Sequence, residues 1–101
     1  MAIRKFKEGI KEQGVDERVG YKIDTLPWGG SPSNAVVAII LRGEDVSEDH
    51  LEGEITVAGN LITTPLVVGL ESGNKYRLEV KWDCQSNTFE AYGFIITGGI
   101  Y

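Results

Sequence analysis

The residues that most constrain the fold are 75–84, Lys-Tyr-Arg-Leu-Glu-Val-Lys-Trp-Asp-Cys. Tyr76, Leu78, Val80, Trp82 and Cys84 alternate without a break with Lys75, Arg77, Glu79, Lys81 and Asp83. A period of two puts the apolar side chains on one side of an extended strand and the charged ones on the other. On a helix the same residues would scatter around the whole circumference and mix charges into the apolar face. The segment is therefore a half-buried strand, with Tyr76 and Trp82 expected in the core. Such a strand needs neighbours for its backbone groups and a second layer over its apolar face.

Candidate neighbours flank it. Gln85-Ser86-Asn87 is a short polar turn, and residues 88–97 are rich in aromatic and β-branched side chains, so residues 75–97 read as a β-hairpin. Upstream, Ala35 to Arg42 is a continuous apolar run ending in Arg, whose length and β-branched content predict a strand buried on both faces. Residues 54–57 alternate, residues 61–68 form a further strand, and Ala58-Gly59-Asn60 is a tight turn between them. Pro65 has no N–H to give to a ladder, which places it at an edge or a bulge. Val19 to Asp24 is a shorter strand, and Ala2 to Phe6 is either an edge strand or a free arm. Helix is expected only at Ser47 to Leu51, as a single turn.

Regular short strands with turn signals between them predict an all-β fold, an immunoglobulin-like β-sandwich of about seven antiparallel strands. Residues 1–14 are an N-terminal arm or edge strand and 15–101 the sandwich domain. Thirteen glycines, about twice the usual share of roughly 7%, suit a chain with many tight turns. The segment Leu70-Glu71-Ser72-Gly73-Asn74-Lys75-Tyr76 sharpens the expectation. In such sandwiches a Tyr opening a strand after a turn folds its hydroxyl back onto nearby backbone, with Leu70 here plugging the core beneath. The plainer alternative is an inward Tyr with no special bond.

Charge and hydropathy narrow the function. A formal net charge of −5 repels a phosphate backbone, so no nucleic-acid partner is expected. Arg4, Lys5, Lys7 and Lys11 are interleaved with Glu8 and Glu12, the pattern of a solvated face. The longest apolar run, Ala35 to Leu41, is too short to span a bilayer, so no membrane association is expected. The opening Met-Ala-Ile-Arg-Lys-Phe-Lys lacks the apolar stretch of a signal peptide, which predicts a cytoplasmic origin. Cys84 is the single cysteine, so no intrachain disulfide is expected.

No residue set carries recognisable chemistry. His50, the single histidine, and Cys84 are too few for a zinc site, and Cys84 has the inward parity of its strand. Glu44, Asp45, Glu48, Asp49, Glu52 and Glu54 suggest a calcium loop starting at Asp45, but His50 stands where glycine is needed and Thr56 where a bidentate Glu is needed. These carboxylates read as a solvated loop. Trp28-Gly29-Gly30-Ser31 resembles a phosphate cradle but is followed by Pro32 and a strand, so it reads as a flexible connection. Asp16, Glu17 and Asp24 have no spacing that ties them to one reaction. No catalytic, metal or cofactor-binding residue is assigned, and the chain is expected not to be an enzyme. Three residues are candidate partner contacts. Trp28 is either folded onto the core rim or left for a partner. Ile100 and Tyr101 follow Gly98-Gly99 and land either on their own domain or on a neighbour. Together with Ala2 to Lys11 they make the two chain ends the expected assembly contacts.

The chain resembles the small tail-fibre adaptor proteins of tailed bacteriophages and prophages. The likeness runs through Val15-Asp16-Glu17-Arg18-Val19-Gly20-Tyr21-Lys22-Ile23-Asp24, where an acidic stretch precedes Tyr-x-Ile-Asp, and through Ile62 to Val68. It is strongest at Gly73-Asn74-Lys75-Tyr76-Arg77-Leu78, followed by a polar hairpin and a closing strand. The hairpin at Gln85 to Phe89 and the ending Gly98-Gly99-Ile100-Tyr101 depart from the family's pattern. The resemblance implies a non-enzymatic virion component, made in the host cytoplasm, that contacts other tail proteins and forms a homo-oligomer within a symmetric assembly. The alternative is an immunoglobulin-like module that binds carbohydrate or a cell surface, with Trp28 and Tyr92 as its exposed aromatics.

Overall fold

A computed structural model describes residues 3–97, with the backbone path alone for residues 3–10. The chain runs through β1 (Ile3–Glu12), β2 (Lys22–Asp24), a 3-10 turn at Leu26–Trp28, β3 (Ser33–Leu41), β4 (Glu44–Asp45) and the helical turn α1 (Ser47–His50). It continues through β5 (Leu51–Glu52), β6 (Thr56–Ala58), β7 (Leu61–Thr63), β8 (Leu66–Val67), β9 (Lys75–Cys84) and β10 (Asn87–Ile96). The fold is all-β. A five-stranded sheet has the order β1-β10-β9-β3-β4, a three-stranded sheet the order β2-β7-β6, and β5 pairs with β8.

The predicted strand is β9, residue for residue. Its inward side chains Tyr76, Leu78, Val80, Trp82 and Cys84 are all buried, and the intervening charges are exposed or half-exposed. Val37 and Ile39 of β3, Ala91 and Ile95 of β10, Ile23 of β2, Ile62 of β7 and Val67 of β8 close over them in one cluster. Trp82 sits between Trp28 at 5.7 Å and Phe89 at 6.1 Å, ring centre to ring centre. Its indole nitrogen is buried and has no hydrogen-bond acceptor among the described residues.

Five expectations need correction. The strand over residues 35–42 is not buried on both faces: Val37 and Ile39 are buried, but Val36 is 53% exposed. The other sheets cover only one side of the large one. Residues 61–68 are two strands, because Pro65 interrupts the ladder between β7 and β8. Pairing is not wholly antiparallel, since β1 runs parallel to β10, with an irregularity between Lys5 and Ile10. Residues 3–12 form this strand at the edge of the sheet, one of the two alternatives for the start of the chain. The β9–β10 turn has two residues, as Cys84 pairs with Asn87, and Gln85 takes the left-handed φ of 56°.

The fifth correction concerns Gly29-Gly30, which is a built turn rather than a flexible connection. Gly29 and Gly30 have φ of 111° and 71°, and a Cβ on Gly29 would lie 2.8 Å from the Cys84 sulfur. The Gly30 carbonyl accepts from the Cys84 thiol at 3.1 Å, and Ser31 N–H donates to Asn60 Oδ1 at 3.0 Å. Asn60 also accepts on its carbonyl from the Thr25 N–H and hydroxyl, so the β6–β7 turn and the Trp28 turn lock together.

Two polar anchors hold the ends of the core. The Tyr76 hydroxyl accepts from the Glu71 N–H at 3.0 Å, the back-folded bond expected from the sequence, with Leu70 buried beside it. Buried Thr97 donates its hydroxyl to the Glu71 carbonyl and so braces the same corner. The second anchor is Gln13, which is 2% exposed. Its amide donates to the Val67 carbonyl at 2.8 Å and the Glu17 carbonyl at 3.0 Å, and accepts from the Tyr21 hydroxyl at 2.7 Å. That network joins the end of β1 to β8 across the core, and a satisfied buried amide of this kind rigidifies what it connects.

Burial and then the nearby Glu17 charge push the Tyr21 phenol up to about 12 from 10.0. Neutral Tyr21 is thus favoured by the fold. The stability it carries is complete below pH 10 and is lost between about pH 10 and 12, where the unfolded phenol ionises first. Urea titrations across that interval should show a shallower loss in Tyr21→Phe than in the parent. Trp82→Ala should cost about 3–5 kcal/mol in the same assay, whereas Trp82→Phe should cost less, because it keeps an aromatic ring and removes the unpaired N–H. An Ala variant melting within a degree or two of the parent would contradict the packing.

Candidate protein-binding face

The side chains that do not enter the core create the most distinctive surface. Strand parity fixes which they are. Lys75, Arg77, Glu79, Lys81 and Asp83 of β9 point outward, and the register places Ile96, Phe94, Tyr92, Glu90 and Thr88 of β10 beside them in that order. On the other flank Ile40, Ala38 and Val36 of β3 pair with Arg77, Glu79 and Lys81. A charged stripe therefore runs down the middle of the sheet, with aromatic and aliphatic side chains to either side.

The face is organised by contacts among its own residues. Lys75 Nζ lies 4.3 Å from the centre of the Phe94 ring, and the Arg77 guanidinium lies 4.2 Å from that of Tyr92. Tyr92 and Phe94 meet edge to face at 5.7 Å. Arg77 Nε is 2.8 Å from a Glu79 carboxylate oxygen. Cations held over aromatic faces and beside a carboxylate lose freedom before any partner arrives, which lowers the entropy cost of binding. Asp83 is held too: Asn34 donates to its carboxylate at 3.0 Å and Thr88 at 2.7 Å. The Asn34 bond, then the Thr88 bond, keeps its carboxyl below the usual range. Across the stripe at the level of Glu79 and Lys81 lies a depression of about 180 Å³, lined by Val36 and Ala38 of β3, Glu79, Val80 and Lys81 of β9, and Glu90 and Ala91 of β10.

The residues singled out from sequence fall elsewhere. Trp28 packs half-buried against Trp82 and belongs to the core rim. Ile100 and Tyr101 lie outside the described residues. Trp28 and Tyr92 are on opposite sides of the large sheet and do not form a shared aromatic platform. His50 is buried edge to face against Tyr76 at one end of β9, while Cys84 is at the other end. Eight residues of strand span roughly 26 Å, so the two do not form a dyad. The Val68 carbonyl lies 3.1 Å from His50 Nδ1, and a carbonyl only accepts, so this bond requires a proton on Nδ1.

Within the acidic stretch, Asp45 accepts from the Ser47 N–H and hydroxyl, which holds its carboxyl below the usual range, the side-chain bond contributing most. Glu52 pairs with Arg18 at the surface. Among the described residues, no group of three or more His, Cys, Asp or Glu side chains is placed to hold a metal, and no helix is long and apolar enough to cross a membrane. Sequence reasoning missed the outward face because it read Ala35 to Arg42 as wholly buried. The exposure of Val36 depends on which side of the large sheet the second layer covers. The chain matches no family model, no curated protein and no solved structure.

The two sides of β3 should respond differently to substitution. Val36→Thr should change stability by no more than about 0.5 kcal/mol, as surface changes do, while Ile39→Ala should cost about 2–5 kcal/mol. Equal effects in thermal or denaturant unfolding would mean that the face assignment is inverted.

Proposed function

We infer that the chain is a non-enzymatic, protein-binding module of the immunoglobulin-like sandwich type, serving as a tail component of a phage or prophage in the manner of a tail-fibre adaptor. The observation that carries the protein-binding part is the outer face of the large sheet. It is broad, half-apolar and preorganised by its own ion and ring contacts. A partly open depression of about 180 Å³ with mixed charge suits the relief of another protein better than it suits an enclosed small-molecule ligand.

The immunoglobulin-like reading draws on topology. The order β10-β9-β3-β4 in one sheet and β2-β7-β6 in another supports it, since in such a sandwich strands two, six and seven of the chain would face strands three, nine and ten. The Tyr76 hydroxyl bond to Glu71 N–H supports it, as a tyrosine opening the penultimate strand. The departures are Trp82, which lies on β9 rather than on β3, and the single cysteine. The tail assignment draws on the sequence resemblance, whose strongest segment, Gly73 to Leu78, builds this tyrosine corner.

The test is composition of assembled particles. Tail particles purified after induction of the encoding strain should contain the chain in fixed proportion to the other tail proteins, as a symmetric assembly requires. Recovery in the free protein fraction alone, with particles that lack it, overturns the assignment.

A further inference from the structure

The charges along the outward side of β9 are ordered in a way that a structural stripe does not require. From residue 77 to 83 they read plus, minus, plus, minus: Arg77, Glu79, Lys81, Asp83. Reversed end to end, this series becomes its own complement. If a second strand β9 lies antiparallel over the first, with the crossing point between Glu79 and Lys81, then Glu79 faces Lys81, Lys81 faces Glu79, Arg77 faces Asp83 and Asp83 faces Arg77. Two copies stacked in parallel would instead set each charge against itself. The flanks obey the same operation. Val36 and Ala38 of one copy meet Ala38 and Val36 of the other, and Glu90 meets the hydroxyl-bearing Tyr92, because the register fixes these residues at the levels of Lys81 and Glu79.

We propose that the outer face of the five-stranded sheet is a self-association surface, on which a second copy of this chain packs antiparallel about a two-fold axis passing between Glu79 and Lys81. The symmetry is the commonest one for homo-oligomers, with one patch complementary to itself. The depression lined by Val36, Ala38, Glu79, Lys81 and Glu90 lies on that axis, so the depressions of the two copies face each other and the side chains around them make the contact. Size is consistent with a real but modest interface. Four strands of nine or ten residues at the usual spacings cover roughly 600 Å² on each copy, near the lower end for specific complexes. Dissociation constants on the order of micromolar follow for an interface of that size with charges at its centre. The proposal deepens the protein-binding reading by naming a partner for the face. Its failure would leave the tail assignment to be decided by particle composition alone.

Sedimentation of the full chain across the micromolar range tests it. The parent should show a monomer–dimer equilibrium. Lys81→Glu sets Glu79 against a new carboxylate at both symmetric contacts, and Glu79→Lys does the converse with Lys81. Each variant alone should weaken dimerisation about tenfold or more. Mixed in equal amounts, the two should associate again as a heterodimer, because each like-charged pair then meets its opposite. The double variant Glu79→Lys/Lys81→Glu should dimerise by itself. All these positions are exposed or half-exposed, and circular dichroism melts of each variant check that the fold is intact. A parent that stays monomeric overturns the proposal. So does a parent that associates equally well in both single variants, which would put the contact on another surface such as the chain ends. Failure of the mixture and of the double variant to recover association also overturns it.

Discussion

Everything in this fold hangs on β9 being paired on both edges while showing its two sides to two different environments. Tyr76, Leu78, Val80, Trp82 and Cys84 face a dry interior, and five charged residues face the other way. Neither set can be moved without the other, because the side-chain period of a strand is two and a slip by one residue would bury every charge. The register with β10 and β3 is thereby strongly specified. Burial of a tryptophan and a tyrosine on one strand gives it a large share of the apolar area removed from water.

An all-β fold of this size has little core to spare, so its ends are closed by polar contacts. At one end Tyr76, Glu71 and Thr97 bind backbone to side chain around the chain's reversal into β9. At the other side Gln13 joins β1, the 14–18 turn and β8 through three bonds of one amide. Around Gly29, Gly30, Asn60 and Cys84 the turns of the two layers fit so closely that a side chain at either glycine would collide. The Gln13 bonds and the contacts around Gly30, Asn60 and Cys84 cross between layers, so they fix how the sheets sit on each other, which a non-directional apolar core leaves open.

The functional reading follows from what that core leaves outside. Because the smaller sheets cover one side of the large sheet, the other side keeps Val36, Tyr92 and Phe94 together with the outward charges of β9. A surface that combines apolar flanks with immobilised charge can distinguish partners, since misplaced like charges cost more than apolar contact returns. Alternating sign along β9 turns that discrimination toward its own reversed image.

How much was readable in advance depended on the range of the interaction. The sequence by itself determined β9, the hairpin into β10, the single turn at Ser47–His50, the burial of Tyr76 and Trp82, and the Tyr76 corner. All of these follow from period-two alternation or from turn chemistry within a few residues. Only the tertiary structure decided that Val36 is exposed while Ile39 is buried, that Gln13 is buried in a polar stretch, that β1 runs parallel to β10, and that Trp28 belongs to the core rim. Each of these depends on residues tens of positions away, and apolar composition alone does not say which side of a sheet the second layer will cover.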